Sequence, residues 1–520
     1  MGLAERDPSK GRVSSEMANG KLESRLFATH LPREIEEFLV NSNPWWQGKQ
    51  MGELPAFRRW PFETALTRLK EGLAPVTILR GPRQVGKTTL QRHIIDHLLR
   101  REAVDPRRIL RVQFDEIPSL KRLTDPILSL CRWFENTVAP MPFNEASSEG
   151  KPAFIFFDEV QNLGDWAPQI KSLVDHQSVR VFVTGSSALR IALGRDSLAG
   201  RLSSLEMGTL FLREISSLRG WGSIAPLLQT NGLKPLADRA FWQSLREHGI
   251  AHRGLRNQAF AAFSERGGYP TPQVRTDRPW EEVADQLNDT VIRRVIQHDL
   301  RLGERGRKRD EGLLEEVFRL SCRYAGQAPG KSVYTSELQS ALSANVGWQR
   351  VLQYLRFLHD TLLIRLVDPL ELRLKKRKAQ PKVCLCDHSL RASWLEEIIP
   401  LTHNALQQSP HLSDLAGHIA ESAAGYFLGS IPGLDVAWFP EKGAEPEVDF
   451  VVTVGEHRIP IEVKYRQHID AQRDTLGLRA FIEKSVYNAP FGVLVTLTDD
   501  VVVPDPRIVA LPLSSLLLMR

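Results

Sequence analysis

The sequence predicts an α/β protein organised around a parallel sheet, and three observations predict it. Short runs that are apolar throughout, Val76–Leu79, Ile109–Phe114, Ala153–Phe157 and Val179–Thr184, recur between about residues 60 and 225 with helical stretches between them. Strands of that kind are buried on both faces, as in parallel sheets covered by helices. The first run leads into a glycine-rich loop and then a helical stretch, Thr88–Arg100. The α/β alternation returns near the C-terminus as a second unit.

Taken in order, residues 1–30 are polar, charged and aperiodic at their start and read as a disordered tail. Leu31–Leu39 has the spacing of a short amphipathic helix, and Asn43-Pro44-Trp45-Trp46 leads into a first domain over residues 31–225. Within it, Met141–Pro152 reads as a loop from its Pro, Asn, Ser and Gly content. Residues 226–330 read as mostly helical, broken at Gly267-Gly268-Tyr269-Pro270. Trp280–Leu300 is spaced as one long amphipathic helix, and the charged run Arg301–Asp310 as a solvated loop or helix end. Residues 331–410 suggest a helix-turn-helix with a wing. Thr335 or Ser336 caps a helix Glu337–Leu342, a second helix runs to about Asp360, Leu363–Val367 and Val383–Cys386 are strands, and Lys375–Lys378 is a basic run between them. Residues 411–520 form the last unit. It has a helix at Leu412–Leu428, strands Val436–Phe439, Val448–Val454 and Ile459–Val463, a helix over about Leu476–Ser485, a strand Phe491–Leu497 and a terminal extended segment.

Composition narrows the class. The 520 residues are 42% hydrophobic and 25% charged, as in folded proteins of several domains. The net charge of +6 permits a nucleic-acid partner without demanding one. The four cysteines are too few and too scattered for a disulfide framework, which points to a reducing compartment. Cys384 and Cys386 alternate along a strand, so one should face inward and the other outward. No run approaches the ~18 apolar residues of a membrane helix, and the first residues lack an apolar signal core, so a cytoplasmic protein with no membrane partner is expected.

The chemistry-bearing motif is Gly81-Pro82-Arg83-Gln84-Val85-Gly86-Lys87-Thr88, followed by Thr89. It fits GxxxxGK[ST] without exception, between an apolar strand and a helix. The glycines let backbone N–H groups face phosphates, the helix adds its positive end, Lys87 reaches the β- and γ-phosphates, and the Thr88 hydroxyl can bind Mg²⁺. These residues predict an ATP site. Phe154–Phe157 then delivers Asp158 to the sheet's carboxyl end, where it can hold Mg²⁺, and Glu159 is placed to polarise a water attacking the γ-phosphate. The strand Val181–Thr184 ends in polar residues, of which Thr184 and Ser186 are candidate sensors of the γ-phosphate. Arg190, Arg195 and Arg201 follow, any of them a candidate finger to a neighbouring subunit in a homo-oligomer, with Arg201 preferred.

These motifs, with Asn43-Pro44-Trp45-Trp46, Phe157–Gln161, Thr184–Ser187, Leu198-Ala199-Gly200-Arg201 and Gly267-Gly268-Tyr269-Pro270, give the chain a resemblance to archaeal and bacterial AAA-type P-loop ATPases with a C-terminal domain of unknown function. The resemblance covers nearly everything after residue 30. It implies an ATPase core, a helical lid, a winged-helix-like segment and a restriction-endonuclease-like tail.

In that tail Asp449 is followed 13 positions later by Glu462, with Lys464 two further on, across a turn at Gly455–His457. Residues i and i+2 of a strand share a face, so Glu462 and Lys464 should converge on Asp449. Two carboxylates can bind one or two Mg²⁺ ions, and the lysine can orient a water or stabilise charge on a phosphodiester. Glu421, on the preceding helix, is a fourth polar candidate. The set resembles the PD-(D/E)XK nuclease core, with Val-Asp where the leading Pro-Asp would stand. Exposed charges on a hairpin, and a nuclease fold used only for binding, remain alternatives. Trp348, Arg350, Tyr354 and Arg356 on the second helix, with the basic run, would suit DNA or RNA; the same helix could equally serve packing between domains. The expected function is ATP hydrolysis coupled to a Mg²⁺-dependent nuclease. The alternative is a nucleotide-driven switch whose C-terminal parts bind a partner without cutting. The two centres lie 291 positions apart (Asp158 to Asp449) and are expected to form in different cores.

Overall fold

A computed structural model describes residues 31–116, 118–185, 198–229, 232–299, 311–372, 375–376, 379–441, 443 and 445–520. The tail 1–30, Ser186, Arg190, Arg195, the run 301–310 and the basic pair Arg377–Lys378 lie outside the described residues.

The first sheet contains β1 (Val76–Arg80), β2 (Ile109–Gln113), β3 (Ala153–Asp158), β4 (Val179–Gly185) and β5 (Leu202–Glu206). Its order is β2-β3-β4-β1-β5 and every pairing is parallel. β1 to β4 are apolar at most successive positions because both faces are buried, while β5, at the edge and absent from the sequence reading, is LSSLE and only partly buried. Val76, Ile78, Ile155, Phe157, Val181 and Val183 enter one core, while Leu79, Phe154, Phe156 and Phe182 enter another. The strand order sets the chemistry. β4 lies between β1 and β3, so Thr184, one residue from its carboxyl end, falls between the phosphate loop and Asp158.

Several expectations are corrected. The predicted loop Met141–Pro152 contains a helix, Phe143–Ser148, held by burial of Phe143 and Ala146 and by the Phe143 N–H on Glu135 Oε1 at 2.8 Å. The Trp280 helix is α-helical only to Leu287 and continues as π turns over Asn288–Arg293 and Val295–Asp299. The Glu337 helix begins six residues earlier, at Lys331. Thr335 is therefore no cap; its hydroxyl donates back to the Lys331 carbonyl within the helix (3.1 Å), as Ser336 does to Val333 (3.1 Å).

The middle of the chain carries β6 (Ile364–Val367), β7 (Glu371–Leu372), β8 (Lys375–Lys376) and β9 (Lys382–Leu385), as antiparallel pairs β6–β9 and β7–β8 behind the Trp348–Asp360 helix. That helix buries Tyr354 and packs Trp348 on Tyr334, so both aromatics are core, while Gln349, Arg350, Gln353 and Arg356 form its outer face. Cys384 on β9 and Cys386 just beyond it are both buried, the strand being covered on both sides and Cys386 packing on Tyr269.

The last sheet runs β10 (Asp435–Phe439), β11 (Val448–Val454), β12 (His457–Lys464), β13 (Gly492–Thr496) and β14 (Ile508–Pro512) in sequence order. Its first two pairings are antiparallel and its last two parallel. This unit has a core of its own, Ala437, Phe439, Val448, Val451, Leu478, Phe481 and Leu494, joined from outside by Leu370, and it also shares a larger one with the rest of the chain. One apolar cluster is continuous from Trp45 through Phe260 and Leu358 to Phe450, Val495 and Met519. The C-terminus returns to the middle of the chain, where the Met519 carbonyl accepts from Leu227 and Leu228 N–H at 3.1 and 2.8 Å.

Candidate functional site: a phosphate cradle and a buried acidic centre

The phosphate loop leaves β1 and re-enters the chain as the Lys87–Arg100 helix. Gly81 is demanded by close approach, since a Cβ there would meet the Met207 carbonyl oxygen at 2.2 Å. The loop is fastened from behind by Arg59, which sequence reasoning missed. Its guanidinium donates to the carbonyls of Val85, Gly208 (3.0 Å) and Thr209 (3.1 Å), and pairs with buried Glu214 at 3.0 Å. Lys87 Nζ lies 3.0 and 2.7 Å from the Gly81 and Pro82 carbonyls, inside the loop's curl.

The partners converge from β3 and β4. Asp158 is fully buried; its Oδ1 lies 3.3 Å from the Thr88 hydroxyl and accepts from the Thr184 hydroxyl. Its Oδ2 pairs with Arg111 at 3.0 Å, a second group the sequence reading did not single out. Glu159 adopts positive φ (+51°), accepts from Gln161, and lines a cleft of about 480 Å³ with Arg83, Gln84, Gly86, Lys87, Thr88 and Thr89. The far wall comes from the helical region, from Pro270, Thr271, Thr290 and Arg294. Only the break at Gly267-Gly268-Tyr269-Pro270 hinted at this. A Cβ at Gly267, where φ is +69°, would lie 2.0 Å from Asp387 Oδ1; Gly268 N–H donates to Asp387 Oδ2 at 2.5 Å, and buried Tyr269 contacts Cys386 Sγ at 3.6 Å.

Arg201 is not in this cleft. It precedes β5, its carbonyl accepting from Val76 N–H at the start of β1 (3.1 Å). That is the amino edge of a parallel sheet whose phosphate loop is at the carboxyl edge. Its guanidinium pairs with Asp175.

The second centre is built by β11, β12, β9 and the Ser413–Gly429 helix. Asp449 and Glu462 face each other one step beyond the Phe450↔Ile461 pair, and Asp449 Oδ2 accepts from Val463 N–H at 2.8 Å. Lys464 Nζ lies 2.6 Å from Glu462 Oε1, as the i, i+2 spacing required. Glu421, Glu447 and Asp449 present carboxylate oxygens within 4.8 Å of one another. Among them lies Lys382 of β9, which the sequence reading overlooked; it is bonded to Glu421, to Asp449 Oδ1 (3.2 Å) and to Glu447 Oε1 (3.4 Å). Burial would lower the Lys382 ammonium's pKa, but the Glu421, Asp449 and Glu447 carboxylates outweigh it and raise it. Burial, then Asp449, pushes the Glu462 carboxyl up to about 8, against the pull of Lys464. Glu462 Oε2 is buried without a hydrogen-bond partner.

The cradle, the parallel sheet and the acidic strand end define a P-loop ATPase-like domain. Residues 74–216 match a family described as an AAA domain, and residues 257–398 match a domain of unknown function, DUF8612. Uncharacterized proteins of Mycobacterium bovis and Mycobacterium tuberculosis are each 27% identical over 301 residues, covering 50% of this chain; the match spans 60% of their length. Among solved structures, a Walker-type ATPase of Pyrococcus abyssi is 15% identical with a TM-score of 0.33, covering 65% of this chain and 96% of that one. The ORC1 protein of Aeropyrum pernix, solved in complex with DNA, is 18% identical with a TM-score of 0.26, covering 70% of this chain and 95% of its own. Among the described residues no helix is long and apolar enough to cross a membrane.

Proposed function

We propose that the chain binds and hydrolyses ATP at the cleft between β1, β3 and β4. The observation that carries this is the convergence of Lys87, Thr88, Asp158, Glu159 and Thr184, from three separate segments, at one carboxyl edge. The loop amides and Lys87 bind and orient the phosphates. Mg²⁺, which the Thr88 hydroxyl and the Asp158 carboxylate fit, would neutralise charge on the β- and γ-phosphates. Glu159 holds the attacking water, and Thr184, hydrogen-bonded to Asp158, reports the state of the γ-phosphate. Lys87→Ala is expected to abolish ATP binding measured by calorimetry; wild-type affinity in the variant would remove the assignment.

A second reading concerns the acidic centre. The order of helix Ser413–Gly429, β10, β11, β12, helix Leu476–Glu483 and β13, with Glu421, Asp449, Glu462 and Lys464 drawn together, supports a PD-(D/E)XK-like centre acting on DNA or RNA with Mg²⁺. The unpartnered, buried Glu462 Oε2 beside Asp449 fits a divalent cation. Asp449 and Glu462 would hold it, supplying a Lewis acid at a phosphodiester. Lys464 orients a water, and the Gln349–Arg356 outer face of the winged segment tracks the backbone phosphates. The test is incubation with plasmid and single-stranded DNA, with Mg²⁺ or Mn²⁺. Cleavage lost in Asp449→Ala and Lys464→Ala supports it; binding without cleavage favours a nucleotide-driven switch.

A further inference from the structure

Lys382 reaches the acidic centre from outside the unit that supplies the carboxylates, on β9 and within the span matched by the domain of unknown function. Its side chain is only 2% exposed. The ammonium is enclosed by Glu421, Asp449 and Glu447 on one side and by the rings of Trp438 and Phe450, at 5.3 and 5.2 Å, on another. Aromatic faces and carboxylates together make a cage for a monovalent organic cation, whereas a divalent metal takes oxygen ligands and water. The other side of Asp449 is different. There Glu462 Oε1 is met by Lys464, while Oε2 is buried with no hydrogen-bond partner. Lys382 and Lys464 are thus the two cations set among four carboxyl groups, Glu421, Glu447, Asp449 and Glu462.

We propose that Lys382 is the resident cation of the acidic centre, filling one of its two cation positions, so that the centre takes a single divalent metal on the Asp449–Glu462 side. The inference rests on the metal reading of this centre. It adds that the middle of the chain supplies one of the centre's two lysines, so the carboxylates and β9 form one site. It also excludes a two-metal arrangement for as long as Lys382 is present.

The test uses the nucleotide-free full chain and Mn²⁺, counted by paramagnetic resonance and calorimetry. Ions lost on Asp449→Asn are assigned to this centre, which separates them from any held at the phosphate cradle. Wild type is expected to hold one such ion. Lys382→Met is expected to hold two with a spin-coupled spectrum, and Lys382→Arg to return the count to one. Because Lys382→Met leaves Glu421 and Asp449 without their counter-charge, its melting temperature is read with and without Mn²⁺. Mn²⁺ should raise it by several degrees more than in wild type, the metal standing in for the ammonium. Two coupled ions in wild type, one ion in a folded Lys382→Met, or a Lys382→Met that Mn²⁺ does not rescue would each overturn the proposal. No ion in wild type but one in Lys382→Met would overturn the single-metal count. A centre that binds no Mn²⁺ in any variant removes the metal reading and this inference together. One ion bound without cleavage of DNA removes only the nuclease reading.

Discussion

The Arg59 clamp allows a worked prediction, because it joins the stability of the phosphate loop to its function. Arg59 is 6% exposed and donates to the Val85, Gly208 and Thr209 carbonyls while pairing with Glu214. Arg59→Met keeps the stem and removes every one of those donors. Glu214, 2% exposed, would keep as hydrogen-bond donors the Trp60 and Phe211 N–H groups, at 2.7 and 3.0 Å, with Arg213 and Arg520 as its remaining nearby cations. Breaking a buried pair by removing one partner costs about 3–5 kcal/mol. If about 3 kcal/mol of that falls on opening of the loop, the amides of Gly81–Thr88 should exchange with deuterium about 100-fold faster. ATP affinity should fall in step, since the loop must then be ordered at the expense of binding. In the double variant Arg59→Met/Glu214→Leu, global stability should recover in part while loop exchange stays fast, because the Val85 carbonyl remains unfastened. Exchange within about threefold of wild type in Arg59→Met, together with unchanged ATP affinity, would refute the reasoning; the expected exchange ratio comes from the same energy scale.

Gly81→Ala should lose ATP binding in calorimetry while the melting temperature changes modestly, because its Cβ would meet a backbone oxygen, that of Met207, at 2.2 Å, and the loop must shift. Glu159→Gln should still bind ATP but hydrolyse it about 10²-fold or more slowly in a phosphate-release assay, the scale of a lost general base. His359, which faces Arg365, Glu206 and Arg80 at the end of β1, gives a pH test on stability: burial, then Arg365, lowers its pKa from 6.5 to about 4, and its Nδ1 accepts from Leu366 N–H at 3.2 Å. The neutral ring is the folded form, so its contribution is complete above pH 6.5 and is lost as pH falls towards 4. At about 1.4 kcal/mol per unit this is at most about 3 kcal/mol, and His359→Asn should flatten the urea midpoint across that window.

Sequence alone determined what is written in contiguous residues. The phosphate loop was legible because its chemistry needs fixed spacing between a strand and a helix, and Gly81–Thr88 supplies it. Four strands of the first sheet were legible because burial on both faces forces unbroken apolar runs; the edge strand Leu202–Glu206 was not, because it is polar in part and only partly buried. The i, i+2 pairing of Glu462 with Lys464 followed from strand geometry. Irregular helix was not legible. The π turns after Leu287 arise where the helix packs on the His388–Leu395 helix, with Asn288 donating to the Ser393 carbonyl at 3.1 Å, a contact no local pattern encodes.

Only the tertiary structure decided which distant residues complete each centre. Arg59 and Arg111 read in the sequence as ordinary charged residues; they matter because folding buries them against Glu214 and Asp158. Arg201 follows a suggestive motif, but the parallel sheet puts it at the amino edge, beside Asp175. Lys382 opens an apolar strand and carries no local signature. It becomes a partner of Glu421, Glu447 and Asp449 because β9 packs against the Ser413–Gly429 helix. The physical reason is common to Arg59, Arg111 and Lys382, the three that folding takes out of water. A charge is stable out of water only when an opposite charge or hydrogen-bonding group is brought to it, and the chain distance to that partner is free to be anything the topology allows.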